Sequence, residues 1–177
     1  MSKKTEGGNK TTIVNPHMVD IYTDGSLRPI GASSCAYVAY SHSKKAIIDM
    51  AAFSYRDRTI NQMELMAVNR ALDIPNLKYV TIFSDSTYTI GALAVWRKSW
   101  ALRGWLDGSG EPVKNMELIK EIGSKIDQLK FCRFVKVAAH TGDHFNTLAD
   151  YLATTVSKMM VDNPLLEDRR FDITFKE

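Results

Sequence analysis

The sequence predicts a mixed α/β domain, a mixed sheet covered by helices. Two observations carry that prediction. The first third of the chain alternates apolar and polar residues with period two across short connections, as an antiparallel meander does. From about residue 61 the apolar spacing changes to three and four, and later apolar runs alternate between strand and helix lengths.

The elements follow in order. Residues 1–17 are polar, contain glycine and end near Pro16, so a disordered arm is expected, with no further domain ahead of residue 18. Val19, Ile21 and Thr23 alternate with Asp20, Tyr22 and Asp24, which predicts a strand ended by Gly25-Ser26. Residues 34–41 and 45–55 predict two more strands. Met63, Met66, Ala67 and Arg70 predict a helix over about 61–73, with Asn61 and Glu64 at capping-box spacing and Pro75 as the stop. Residues 79–83 form a short apolar strand with Asp85 just beyond it. A helical stretch over about 86–103, broken near Val95, leads to a turn-rich loop at 106–112. Val113, Met116, Ile119, Ile122, Ile126 and Leu129 predict a helix over 113–129, followed by a strand at 131–137. A loop with His140 and Gly142 precedes a last helix over 144–160. The domain is thus expected at 18–160, with a C-terminal tail at 161–177 that holds a short strand at 171–175.

Composition narrows the class. The chain has 177 residues, enough for one domain, and its 45% hydrophobic content supports a real core. A net charge of +3 permits a nucleic-acid partner without requiring one. Cys35 and Cys132 are far apart, so structural zinc, a redox motif and a disulfide framework are not expected. Cys35 reads as a buried small hydrophobe, and a reducing, cytoplasmic setting is the default. No secretory signal or membrane-length apolar run is seen, and a monomer is expected.

Four acids stand out: Asp24, Glu64, Asp85 and Asp150. Each has an ordinary alternative. Asp24 suits an Asp-Gly turn, Glu64 a capping box, Asp85 a helix N-cap, and Asp150 a solvent-facing position four residues after Asn146. Together they say more. Asp24 and Asp85 both follow strands, and ligand crevices lie beyond the carboxyl ends of strands. Carboxylates gathered there repel one another unless cations intervene, and magnesium or manganese prefers oxygen ligands. Two such ions, roughly 3.5–4 Å apart, clamp the attacking and leaving oxygens of a phosphoryl displacement. His140, on a loop ten residues before Asp150, is a candidate for proton transfer.

These stretches resemble the type 1 ribonucleases H. The matching residues are Tyr22-Thr-Asp-Gly-Ser26, Asn61-Gln-Met-Glu-Leu65, Ser84-Asp-Ser86, and His140-Thr-Gly142 with Asn146 and Asp150. The likeness extends to Trp96-Arg-Lys-Ser-Trp100, Arg103-Gly-Trp105 and Pro112-Val-Lys-Asn115, and covers roughly residues 18–157. It implies a mixed five-stranded sheet with helices on both faces. It also implies hydrolysis of the RNA strand of RNA–DNA hybrids, leaving 5′-phosphate and 3′-hydroxyl ends. Asp24, Glu64, Asp85 and Asp150 would hold two Mg2+ ions, with Mn2+ as a substitute. His140 would move protons. Asn61 would meet the RNA minor groove, where the 2′-hydroxyl marks RNA, and Asn146 would join the nucleic-acid contacts. Trp96, Arg97, Lys98, Trp100 and Arg103 would grip the DNA strand, with Trp100 on a sugar and at least one tryptophan buried. Thr59 and Asn115 would line a DNA phosphate pocket. The chain departs from the pattern at the short Leu27–Ala32 loop, at Ile60 before Asn61, at Asp57, and at Ala101-Leu102 in the basic segment. Two other readings remain: another nuclease of the same superfamily (a resolvase, an exonuclease or the ribonuclease H portion of a reverse transcriptase), or a catalytically silent nucleic-acid-binding domain.

Overall fold

The computed structural model describes residues 15–138 and 143–173. Strands β1 (Met18–Leu27), β2 (Ala32–Ser41) and β3 (Ala46–Arg56) form the antiparallel meander. Helix α1 (Ile60–Ala71) crosses to β4 (Tyr79–Ser84), which joins β1 in parallel. A helical stretch follows as α2 (Thr87–Ile90), a π-helical turn at Gly91–Trp96, and α3 (Arg97–Leu102). Helix α4 (Met116–Asp127), strand β5 (Phe131–Lys136), parallel to β4, and helix α5 (His144–Asp162) complete the domain. The sheet order is β5-β4-β1-β2-β3-β6. The sixth strand, β6 (Arg170–Asp172), pairs antiparallel with Ala51–Phe53 of β3 and adds one strand to the expected five. No described helix is long and apolar enough to cross a membrane.

Period-two alternation sorts the core to the two faces of the sheet. On one face Ile21, Cys35, Tyr37 and Phe53 pack with Met63, Leu65 and Val68 of α1 and Ile119 and Ile122 of α4. Cys35 is fully buried there, as the sequence predicts. On the other face Tyr22, Ala36, Val38 and Ala52 pack under Ala149, Leu152, Ala153 and Val156 of α5. The two cores fix which helices cover which face of the sheet.

Several local expectations change. Gly25 does not end β1. It pairs with Cys35, and the strand runs on to Leu27. The cap of α1 is Thr59, not Asn61. Thr59 Oγ1 accepts the Gln62 amide at 3.2 Å, and Gln62 Oε1 accepts the Thr59 amide at 2.9 Å. Ser86, not Asp85, caps α2 by accepting the Thr89 amide at 3.1 Å. The expected helix break falls at the π-helical turn. There the Trp96 ring lies on Gly91, where a built Cβ would come within 2.4 Å of the indole. The tail strand is shorter and earlier than expected.

Candidate active site

Strand register brings the first two acids together. Thr23 pairs with Ser84, the last pair of the parallel β1/β4 ladder, so Asp24 and Asp85 leave neighbouring strands at one level. Glu64 arrives from the helix on the opposite face. Gly25 makes this possible: a Cβ there would meet the Glu64 amide nitrogen at 2.9 Å and Met63 Cβ at 3.0 Å. With no side chain at Gly25, the first turns of α1 rest on the strand. The Gly25 amide then donates to Asp24 Oδ1 at 2.9 Å and to Glu64 Oε1 at 3.2 Å. Gly25→Ala is expected to cost about 1–3 kcal/mol, because backbone rather than a flexible side chain would have to move. Urea unfolding followed by tryptophan fluorescence measures this, and an unchanged midpoint would refute the close-packing role.

Because Thr59 and Ser86 take over the capping, Glu64 and Asp85 are left free for one another. Ligand oxygens of Asp24, Glu64 and Asp85 all lie within 4.8 Å of each other. Asp150 stands outside that tight trio, but its charge reaches Asp24. Thr154, one turn further along α5, donates to Asp150 Oδ1 at 3.3 Å and orients it. An aromatic stack ties the carriers of three acids together. The Tyr22 ring of β1 lies 4.5 Å from Phe83 of β4, nearly parallel, and 5.4 Å from Phe145 of α5.

The electrostatics are those of acids crowded without counter-charge. Burial, then the charges of Asp85 and Asp150, push the Asp24 carboxyl up to about 8. Burial, then Asp24 and Asp85, hold Glu64 well above the usual carboxylate range. Glu64 Oε2 is buried with no hydrogen-bond partner among the described residues. An orphaned buried carboxylate oxygen is costly unless something satisfies it. A divalent cation fits on two counts: the donors are all hard oxygens, and the excess negative charge is concentrated at one point.

The remaining predicted residues divide. Asn61 is exposed in the first turn of α1, three residues before Glu64. Asn146 is buried on α5, one turn before Asp150. Asn115 takes a left-handed conformation ahead of α4 and donates to the Tyr88 hydroxyl at 3.2 Å. The Thr59 hydroxyl is engaged in the helix cap. Lys98 and Arg103 are exposed. Arg97 is not an outward-facing grip: it forms a two-pronged pair with Asp127 at 2.9 and 2.5 Å and donates from Nε to the Leu93 carbonyl at 3.0 Å. No tryptophan is fully buried. Trp100 and Trp105 are half-buried against the core, and Trp96 is the more open, at 40% exposure. His140 lies outside the described residues.

Two contacts were not foreseen. Lys136, at the end of β5, donates from Nζ to the Asp85 carbonyl and holds the loop that carries that acid. Thr154 was legible as the residue four after Asp150 on one helix face. Lys136 had no such signal, because strand pairing alone brings it beside residue 85.

Fold and carboxylate cluster together define an α/β domain of the ribonuclease H-like class. The chain belongs to the RNase H family, whose model matches residues 16–158. It is 35% identical over 138 residues to "Ribonuclease H" of Ehrlichia chaffeensis, covering 76% of this chain and 91% of that relative. It is 32% identical over 156 residues to "Ribonuclease HI" of Haemophilus influenzae, covering 86% and 96%. Among solved structures it resembles a foamy viral protease-reverse transcriptase in complex with an RNA/DNA hybrid, with TM-score 0.70 and 21% identity. That likeness covers 89% of this chain but only 22% of the longer viral one.

Proposed function

We propose that this chain is an endonuclease that hydrolyses the RNA strand of RNA–DNA hybrids, leaving 5′-phosphate and 3′-hydroxyl ends. The carrying observation is the convergence of Asp24, Glu64 and Asp85 within 4.8 Å. Asp150 completes the set from α5. When bound, two divalent cations, magnesium with manganese as substitute, would neutralise these acids and stabilise charge on the attacking and leaving oxygens. The protein's own part is positional. Asp24 and Asp85 are fixed by strand register, Glu64 by the Gly25 contact, and Asp150 by Thr154. Water attacks phosphorus, the P–O bond to the 3′-oxygen breaks, and that oxygen takes a proton. His140 is proposed to move protons in this step on the sequence resemblance. Asn61 is assigned to the RNA minor groove, Asn146 to the nucleic-acid contacts in general, and Thr59 and Asn115 to a DNA phosphate.

The basic segment supports a DNA-strand contact through Lys98, Arg103 and the open Trp96. Each phosphate-contacting cation lost should lower the salt slope of hybrid binding by about one. Lys98→Ala and Arg103→Ala are therefore expected to weaken binding and flatten its salt dependence. Arg97→Ala should mainly lower stability. Binding titrations at several salt concentrations decide this, and an unchanged slope in both Lys98 and Arg103 variants removes the segment from the interface. The substrate assignment is tested by comparing hybrid, duplex DNA and junction DNA side by side and typing the product ends. Cutting of hybrid alone, with 5′-phosphate products, supports the proposal. Preferred cutting of junction or duplex DNA overturns it.

A further inference from the structure

The C-terminal segment builds a cleft that the carboxylate site does not use. Residues 167–172 lie beyond the family-matched stretch, which ends at 158, and are docked on the outer edge of β3. The Ser54 amide donates to the Arg169 carbonyl at 3.0 Å, and the Arg169 amide donates to Ser54 Oγ at 3.0 Å. Glu167 pairs with Arg56 at 3.4 Å. This segment forms one wall of an open cleft of about 400 Å³, whose lining includes Arg70, Arg169 and Arg170. Phe53 shares a cross-strand row with Cys35 and Gly25, so the cleft is two strands away from the acids, about 10 Å across the sheet.

Arg70 is held in place by two aromatic neighbours. Its Nε donates to the Tyr55 hydroxyl at 2.9 Å, and its guanidinium stands 5.2 Å from the Phe53 ring centroid. Arg170 stands 5.5 Å from the same centroid. Two acids share the lining. Asp73 is paired with Lys125 at 2.6 Å, which leaves Asp168 as the acid without an ion pair among the described residues. Arg170 is partly occupied by Asp172 and Asp49. The terminal nitrogens of Arg70 and the side chain of Arg169 have no hydrogen bond or ion pair among the described residues. Planar guanidinium forks, one of them locked by an aromatic ring and a phenol, suit a tetrahedral oxyanion.

We infer that this cleft is a phosphate-binding site, assembled jointly by α1, β3 and the C-terminal segment and distinct from the carboxylate cluster. Its ligand is a phosphate group, supplied either by a nucleic-acid strand or by a free phosphate or phosphomonoester. The site does not depend on the proposed nuclease reading, because its test needs no cleavage.

The test uses the full chain in chelator, so that divalent cations play no part. Inorganic phosphate, a 5′-phosphorylated single strand and an uncut RNA–DNA hybrid are titrated separately while the arginine Nε–H resonances are followed. Saturable shifts at Arg70 and Arg169 with inorganic phosphate assign a free-phosphate site. Shifts only with the strand or the hybrid assign a nucleic-acid backbone site. Arg169→Ala, whose side chain holds nothing in the fold, is expected to weaken the binding about tenfold, the loss of a charge-assisted contact. Arg70→Lys is expected to weaken it too while keeping a positive charge. The inference is overturned if no probe shifts these resonances, or if Arg169→Ala binds as tightly as the parent.

Discussion

Asp24→Asn and Asp85→Asn should each abolish RNA cleavage while hybrid binding persists. Asn keeps the size and one carbonyl oxygen of Asp but removes the charge. Asp24 and Asp85 stand side by side because the parallel ladder ends at Thr23 and Ser84. Removing either charge halves the acid pair that the two strands present. Losing one preorganised charged group aimed at the reacting centre costs on the order of 10³-fold in rate. The proposed contacts with the duplex lie elsewhere, at Asn61, Lys98, Arg103 and Trp96, so affinity should change little. Single-turnover cleavage and chelated binding assays on the same preparations separate the two effects. Cleavage within tenfold of the parent in either variant would remove that acid from the reaction.

Asp24→Asn should also make the chelated protein more stable, and only above acid pH. The Asp24 carboxyl is raised from 3.8 to about 8 in the fold. The native state therefore holds a proton that the unfolded chain has already released, and stability falls as pH rises between those values. Glu64, raised by burial beside Asp24 and Asp85, adds to the fall in the same direction. Below pH 4 both states are protonated and the variant gains nothing from charge removal. Near pH 8 the gain should be on the order of several kcal/mol, since each pH unit between those two values contributes about 1.4 kcal/mol. Urea unfolding at pH 4 and pH 8 in chelator measures it. Adding magnesium should stabilise the parent more than the variant. A variant less stable than the parent at pH 8 in chelator would mean that the acids are not in mutual repulsion.

The convergence of Asp24, Glu64 and Asp85 was legible from their joint placement rather than from any one local setting, because strand ends are where open sheets collect ligands. Their assembly was only partly legible. Gly25 read as a turn glycine, whereas it is a strand residue kept bare so that α1 can touch β1. The spacing of Asn61 and Glu64 fitted a capping box as well as Thr59 and Gln62 did. Local pattern cannot choose between overlapping caps two residues apart, and tertiary docking of α1 decides it. Arg97 read as a surface cation within a basic run. Its partner Asp127 is thirty residues away on α4, so only helix–helix packing reveals the pair. A tail strand was legible but its bounds were not: β6 is only three residues long, and its ladder to β3 sets where it starts and stops.

The most direct test is cleavage of an RNA-labelled RNA–DNA hybrid by the full chain in magnesium and in chelator. If the clustered carboxylates work with divalent cations on this substrate, the RNA strand is cut in magnesium and left intact in chelator. Cutting that persists in chelator, or no cutting with either magnesium or manganese, would contradict that central claim.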